Sequence, residues 1–376
     1  MVKVRWRWRI WLATLVTVAA AALGLAAPAW AQPSPPSRAV SPSMTTTSVT
    51  TTQSLQSLVG HAPAGGKRWI VNDSVAYGQA VKSRAWVRTP YGLSYTGCVF
   101  HVPAKAVVRN GMIIEPSGAT HQLKPCEYPT LAYPGSHQTG AIEPSVSGHG
   151  TTDPATGQVT PAAGPCYFGS GGDWWAASCY GTGSNWVTSM SEEYAVPSNP
   201  AQDGALIFLW GGLEDGAGDT VLQDVLTWGA NGSIVTNPNI WYVTPWYVWS
   251  NNSVVGPSIH VAPVDTIVAT LTASNCNSGG DCTWLLGATD TTNGRSTSYT
   301  VGSGVSFDLL LGAVMEVPTA NGCVETPTNG HAAFRDLAVA GHSGNITPSF
   351  GTSIPDSQCS VSITQSPTGA DILWKP

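Results

Sequence analysis

Charged residues are scarce in this sequence. Asp, Glu, Lys and Arg make up 10% of its 376 residues, whereas ordinary soluble proteins contain about 25%. Lys and Arg are the rarer kind, with 16 against 22 Asp and Glu. An acidic chain without basic clusters argues against nucleic acid as a partner. A surface with few carboxylates loses little when they take up protons, so the composition suits acidic surroundings.

Several catalytic and metal-binding motifs are missing as well. The chain contains no HExxH motif, no GxSxG elbow, no Asp-Thr-Gly or Asp-Ser-Gly triplet and no GxxxxGK phosphate loop. No CxxC pair occurs either, which makes a structural zinc site unexpected. We therefore expect no metal and no cofactor.

Residues 1–31 have the pattern of an export signal. The basic stretch MVKVRWRWR precedes the apolar run IWLATLVTVAAAALGLAA, and Ala29-Trp30-Ala31 forms a small-x-small cleavage site. A retained membrane anchor is the alternative for this run. Cleavage would leave 12 basic residues against 22 acidic ones, a net charge near −10. No second long apolar run follows, so we expect a secreted monomer that is free of the membrane.

The exported part contains all eight cysteines, and an even number in an oxidising compartment indicates disulfides. Sequential pairing is the simplest scheme. It joins Cys98–Cys126, Cys166–Cys179, Cys276–Cys282 and Cys323–Cys359.

Composition divides the rest of the chain. Residues 32–65 are rich in Pro, Ser and Thr, which predicts a disordered leader. Residues 66–150 predict an amino-terminal β segment, either a propeptide or strands added to the main fold. Residues 160–376 contain many short strands separated by turn residues, and no amphipathic helix is recognisable beyond the signal. This pattern predicts an all-β fold, a two-sheet antiparallel β-sandwich.

Two polar residues stand alone on apolar strand faces. In the stretch DTVLQDVLTWG, Gln223 shares its face with Val221 and Val225. In FDLLLGAVMEVP, Glu316 shares its face with apolar residues that include Leu310. Each residue by itself fits a hydrogen-bonded structural position, because a buried polar group needs partners. Together, a carboxylate base and an amide donor suit a hydrolytic site.

Three motifs carry a family resemblance. The stretches LWGGLEDGAGDTVLQDVLTWG, WYVTPWYVWS and VMEVPTANGC resemble, in order and spacing, the glutamic peptidases called eqolisins. The resemblance covers about half of the chain and implies a concanavalin A-like sandwich with the active site on a concave face. It implies catalytic roles for Gln223 and Glu316, and substrate-binding roles for Trp210, Glu214 and Trp246.

The chain departs from the family pattern at three places. Glu214 stands where the family usually has Asp, and Val248 stands where it has an acid. The usual Glu-Trp before the catalytic glutamate is Gly312-Ala313 here.

The resemblance implies a polypeptide substrate. Glu316 would take a proton from a water molecule and Gln223 would donate to the oxyanion. We expect the two residues on neighbouring strands, facing a groove that solvent reaches.

Two other functions remain open. One is a lectin-like module that binds a glycan or a protein, with at least one of Trp241, Trp246 and Trp249 as an exposed platform. The other is a glycoside hydrolase, which needs two carboxyls where this chain pairs a carboxyl with an amide.

Overall fold

The computed structural model describes residues 55–58, 68–71, 73–90, 92–132, 151–152, 159–160, 163–166, 173–232 and 239–376. The predicted export signal lies outside these residues, as does the predicted leader apart from a 3-10 turn at Leu55–Leu58. Within the described residues, no helix is long and apolar enough to cross a membrane.

The amino-terminal part consists of short strands and a helix. They are β1 (Ile70–Val71), α1 (Ser74–Lys82), β2 (Trp86–Thr89), β3 (Gly92–Tyr95), β4 (Val99–His101), β5 (Val107–Arg109), β6 (Met112–Ile114), β7 (Thr120–Gln122) and β8 (Thr130–Leu131). Two short strands follow, β9 (Thr151–Thr152) and β10 (Val159–Thr160), and they pair only with each other.

Longer strands make up the remainder. They are β11 (Gly164–Cys166), β12 (Trp174–Gly181), β13 (Val187–Ala195), β14 (Leu206–Glu214), β15 (Thr220–Trp228), β16 (Trp241–Trp249), β17 (Asn252–Val255), β18 (Ile259–Val261), β19 (Thr266–Ser274), β20 (Thr283–Asp290), β21 (Arg295–Gly302), β22 (Leu309–Thr319), β23 (His331–Gly341), β24 (Gly344–Ile346), β25 (Gly351–Ser353), β26 (Ser362–Ser366) and β27 (Gly369–Leu373). Further 3-10 turns lie at Thr96–Cys98, Cys323–Glu325 and Gln358–Ser360.

Two large sheets contain most of these strands. The ten-stranded sheet has the order β11-β12-β22-β14-β15-β16-β17-β4, with β18 beside β16 and β25 beside β12. The eleven-stranded sheet has the order β26-β27-β23-β13-β19-β20-β21-β5-β6-β7, with β24 beside β23. The long strands pair antiparallel. The predicted all-β sandwich of two antiparallel sheets is confirmed.

The main core lies between the two sheets. Leu209 and Leu226 of the ten-stranded sheet pack in one apolar cluster with Ala269 and Ala288 of the eleven-stranded sheet. Successive side chains of a strand point to opposite faces, so one face of each long strand enters this core. The long strands of the ten-stranded sheet are also buried on their other face, which is why β14 and β15 are apolar along most of their length.

The amino-terminal segment is joined to both sheets. β4 pairs with β17 and β5 pairs with β21, and both pairings are parallel. β1, β8, β3 and β2 form a separate four-stranded sheet, and α1 shares a small apolar core with it. The parallel pairings are additions to the antiparallel arrangement that the strand pattern predicts.

The helix α1 was not indicated by the sequence, in which no amphipathic helix is recognisable beyond the signal. Asp73 caps it, because its Oδ1 accepts hydrogen bonds from the backbone N–H groups of Val75 at 2.8 Å and Ala76 at 3.0 Å. Ala76 and Ala80 are the small residues that it buries. A nine-residue helix with so short an apolar stripe has little periodicity to recognise.

All four predicted disulfides are confirmed, and the described residues include no free cysteine. Cys166 and Cys179 are direct cross-strand partners on β11 and β12. Both are fully buried, whereas every other disulfide has at least one cysteine that is exposed or half-buried.

Mild reduction of the folded protein is expected to open Cys166–Cys179 last, because access of the reductant limits the rate of disulfide exchange. Timed reduction, alkylation and peptide mass spectrometry measure the order. Denatured but unreduced protein serves as the control and should show no alkylated cysteine. Early labelling of Cys166 or Cys179 would contradict the burial described here.

Candidate active site

The face of the ten-stranded sheet that points away from the eleven-stranded sheet carries the candidate site. We call it the outer face. Val221, Val225, Trp246 and Val314 belong to an apolar cluster that contains no residue of the eleven-stranded sheet. Because side chains alternate along a strand, Gln223 shares the outer face with its valine neighbours, as the sequence predicts.

A β-bulge places Glu316 on the same face. The pairing of β14 with β22 shifts register between Trp210 and Gly212. The shift reverses the alternation along β22, so that Leu310 packs between the sheets and Leu311 packs on the outer face with Val314. The expectation that Glu316 shares its face with Leu310 is therefore wrong.

Gln223 and Glu316 lie two strands apart. Glu316 on β22 is opposite Phe208 of β14, and Gln223 on β15 is opposite Gly212 of β14. The prediction of neighbouring strands is wrong, because β14 lies between β15 and β22. Gly212 places no side chain beside Gln223. Along β14, Trp210 lies between Phe208, the partner of Glu316, and Gly212, the partner of Gln223.

Glu316 is held by a tryptophan. The indole Nε1 of Trp210 donates a hydrogen bond to Oε1 of Glu316 at 3.0 Å. Trp174 packs edge-on against Trp210, with ring centroids 5.6 Å apart at 84°. Trp174 is also the direct cross-strand partner of Glu316. These contacts fix the orientation of the carboxyl group.

The environment of Glu316 favours its protonated form. Burial raises its pKa well above the ordinary value, and the charge of Asp173 raises it further. The hydrogen bond from Trp210 and the charge of Arg68 oppose this shift. The carboxyl therefore keeps its proton at a pH where an exposed glutamate has lost it.

The amide group of Gln223 is buried without hydrogen-bond partners among the described residues. Its side chain is 0% exposed, and neither Nε2 nor Oε1 has a hydrogen-bond partner among the described residues. Oε2 of Glu316 also has no hydrogen-bond partner among the described residues. The same holds for Nε1 of Trp246, which is the direct cross-strand partner of Gln223. Buried polar groups in native proteins are nearly always paired. Gln223 is thus not a satisfied core glutamine, and the outer face offers a donor and an acceptor to a bound group.

The third predicted binding residue, Glu214, lies at the far end of β14. Burial raises its pKa to about 8, although the charge of Arg68 lowers it. Burial also raises the pKa of the adjacent Asp215 to about 7. This end of the site is rich in carboxyl groups that are neutral in acid.

The amino-terminal segment covers the outer face. Val87 of β2, a strand of the separate four-stranded sheet, packs in the same cluster as Trp246. Glu316 on this face is only 1% exposed. The prediction of a groove that solvent reaches is therefore wrong for this structure, since the segment fills the groove.

Backbone hydrogen bonds attach this cover at one end of the β15–β16 hairpin. The N–H of Arg68 donates to Oδ1 of Asp219 at 3.2 Å. The N–H of Trp69 donates to Oδ1 of Asn251 at 2.9 Å. The Arg68 side chain is buried, and its charge acts on Glu316.

A third bond attaches the cover at the opposite end of the hairpin. The N–H of Arg88 donates to the carbonyl of Asn231 at 3.1 Å. The cover therefore spans the length of β15 and β16, above the predicted site residues.

Sequence reasoning missed Asp173, Trp174, Arg68 and Arg88. Asp173 and Trp174 stand in the stretch DWW, where a charge directly before a buried aromatic pair was the available signal. Arg68 precedes Trp69 and Arg88 follows Val87 in the sequence. No local sequence pattern indicates that either arginine reaches the sandwich.

The tryptophans considered as glycan platforms are mostly internal. Trp241 and Trp246 are 1% exposed, and Trp249 is half-buried. Of the three positions, Trp249 alone keeps a partly exposed side chain.

Three known structures that resemble this chain are glutamic peptidases, the family that the sequence motifs resemble. Scytalido-glutamic peptidase with a peptide-based transition state analog matches at a TM-score of 0.37 and 18% identity. The same peptidase with a transition state analog inhibitor matches at 0.38 and 20%. SCP-B, a member of the eqolisin family in complex with the tripeptide Ala-Ile-His, matches at 0.36 and 18%. Each match covers 54% of this chain and 98% of the other.

No protein-family model matches the chain, and no curated protein matches it by sequence. TM-scores in this range do not assign a function. The function has to be argued from the side chains.

Replacing Trp210 by Phe is expected to destabilise the protein through the lost hydrogen bond to Glu316. Trp284→Phe is a matched control, because Trp284 is also 0% exposed and its Nε1 has no hydrogen-bond partner among the described residues. The free energy of unfolding in urea should fall further for Trp210→Phe, by ~1 kcal/mol or more. Equal losses in the two variants would mean that the bond contributes nothing.

Proposed function

We propose that this chain is a secreted, glutamic-peptidase-like hydrolase that cleaves polypeptides in acid. Glu316 is the general base and acid, and Gln223 is the oxyanion donor. The observation that carries the proposal is the buried amide of Gln223, which has no hydrogen-bond partner among the described residues and lies on the same sheet face as the Glu316 carboxyl. Hydrolysis needs such a donor and such an acceptor.

The chemistry begins with ionised Glu316. Its carboxylate accepts a proton from a water molecule whose oxygen attacks the peptide carbonyl carbon. The carbonyl oxygen becomes an oxyanion, and Nε2–H of Gln223 donates to it. When the C–N bond breaks, Glu316 returns the proton to the leaving nitrogen. The products are a carboxylic acid and an amine, and no covalent intermediate with the chain is formed.

The binding residues have separate tasks in this proposal. Trp210 orients the Glu316 carboxyl through its indole N–H, so it positions the base. Trp246 lies beside Gln223 and offers an apolar wall and an indole N–H to the substrate. Glu214 lies further along the outer face and contacts a more distant part of the chain being cleaved.

The cover sets a condition for activity. A polypeptide reaches Gln223 only when the four-stranded sheet of β1, β8, β3 and β2, with α1, moves away from the outer face. Movement also admits water to Glu316, which removes the burial that raises its pKa and allows it to ionise in mild acid. The closed form is therefore inactive for two reasons, a blocked groove and a protonated base.

The disulfides support the proposed compartment. Four disulfides in one chain are typical of proteins that fold in an oxidising environment. Secretion by way of the predicted signal at residues 1–31 is the proposal that fits them.

Digestion of a denatured protein between pH 3 and pH 5 tests the function. Glu316→Gln keeps the shape of the side chain and removes the base, so we expect a loss of at least ~100-fold in rate. Gln223→Ala removes the oxyanion donor and should cost about 100- to 1,000-fold. Glu193→Gln is the matched control, because Glu193 lies on β13 of the other sheet.

A wild-type protein that cleaves no unfolded substrate between pH 2 and pH 7 would contradict the proposal. Equal activity of Glu316→Gln and Glu193→Gln would contradict the assigned roles.

Arg68→Ala is expected to increase the rate of the full-length chain at pH 4. Glu214 and Asp215, with pKa values of about 8 and 7, are protonated there. In the open form Arg68 has left Glu316 together with the cover, so the change acts mainly on the closed form. If the buried Arg68 side chain stabilises the closed form by ~1.4 kcal/mol, its removal raises the open fraction and the rate about tenfold. Arg84→Ala is the control, because Arg84 is an exposed cation of the same segment. A lower or unchanged rate for Arg68→Ala alone would argue against a covering role.

A further inference from the structure

Two carboxyl groups outside the proposed site meet in the interior of the sandwich. Glu192 lies on β13 of the eleven-stranded sheet, and Asp224 lies on β15 of the ten-stranded sheet. They are 2% and 1% exposed. Asp224 directly follows Gln223, so its side chain points to the opposite face of β15 and enters the core.

Packing between the sheets places the Glu192 carboxyl close to the part of β15 that carries Asp224. The Glu192 carboxyl lies against the backbone of Gly211 on β14, where an added β-carbon would be 2.3 Å from Oε1. Gly211 precedes Gly212, which is opposite Gln223, so β14 and β15 meet at this point. Tyr194 of β13 also reaches across and donates its hydroxyl to the carbonyl of Asp224 at 3.4 Å.

Among the described residues, no positive charge balances the pair. Neither carboxyl has a side-chain hydrogen-bond partner among the described residues. Backbone groups provide the opposing stabilisation, from Gly211 for Glu192 and from Thr270 of β19 and Gly287 of β20 for Asp224.

The titratable groups that face the pair are phenols. Tyr194 of β13 and Tyr299 of β21 are fully buried beside it, and the hydroxyl of Tyr299 donates to the carbonyl of Val254 at 2.9 Å. Neither phenol supplies a positive charge at any pH.

We propose that Glu192 and Asp224 form a proton-dependent lock between the two sheets. While both carboxyls carry protons, the interior of the sandwich is uncharged and the sheets pack closely. When both protons leave, two like charges occupy an apolar interior without a cation. The sheets then separate, and the fold is restricted to acidic and neutral surroundings. This inference is independent of the proposed catalysis.

The direction of the pH dependence follows from the shifts. Burial raises the pKa of Asp224 from 3.8 to about 7, and burial together with the charge of Asp224 raises the pKa of Glu192 well above 4.5. The folded state thus binds these protons more tightly than the unfolded state. The stabilisation is complete below about pH 4, where the unfolded chain is also protonated, and it is lost as the pH rises through about 7.

Thermal unfolding of Glu192→Gln and Asp224→Asn tests the lock. A carboxamide has the shape of the protonated acid but never ionises. Each variant should therefore melt within ~1 °C of wild type at pH 4 and on the order of 5 °C above it at pH 8. Glu193→Gln is the matched control. Glu193 is the next residue of β13 and points to the opposite face, so the control should leave the pH dependence unchanged.

Two results would overturn the proposal. One is an equal shift at pH 4 and pH 8 for either variant, or the same gain at pH 8 for Glu193→Gln. The other needs no variant: a wild-type protein that melts at the same temperature at both pH values has no such lock.

Discussion

Burial of carboxyl groups with few cations to balance them is the constraint on which the rest of this structure depends. Burial raises the pKa of Asp173, Glu192, Glu214, Asp215, Asp224, Asp308 and Glu316. Arg68 is the cation that acts on Glu214, Asp215 and Glu316. A sandwich built in this way is neutral inside when the surroundings are acidic. The scarcity of charge in the sequence and the proposed acid chemistry follow from the same constraint.

Local patterns predicted a large part of the fold. The alternation around Gln223 is a property of a single strand, and it placed Gln223 and Asp224 on opposite faces correctly. The disulfides were also accessible to sequence reasoning, because sequential cysteines on adjoining strands, such as Cys166 and Cys179, become cross-strand partners. Trp210 and Trp246, the two tryptophans assigned to the site, share the face of Gln223 through strand register. Trp246 is its direct partner on β16, and Trp210 lies two residues from Gly212, its partner on β14.

Long-range features were not predictable from such patterns. The bond from Arg68 to Asp219 spans 151 residues, and no local signal indicates that the amino-terminal segment covers the outer face. The bulge in β22 reversed the alternation of side chains at Leu310. It arises from the pairing of β22 with β14, so the sequence of β22 alone does not indicate it. The absence of an open groove over Gln223 follows from that covering segment, so the sequence alone indicated an exposed site.

The central claim is that Gln223 and Glu316 bind a peptide bond once the cover has moved. A crystal structure of the Glu316→Gln variant with a bound peptide at pH 4 tests this claim most directly. The account predicts a peptide carbonyl oxygen about 3 Å from Nε2 of Gln223, with the four-stranded sheet displaced from the outer face. A peptide bound elsewhere, with Gln223 still sealed beneath the cover, would contradict it.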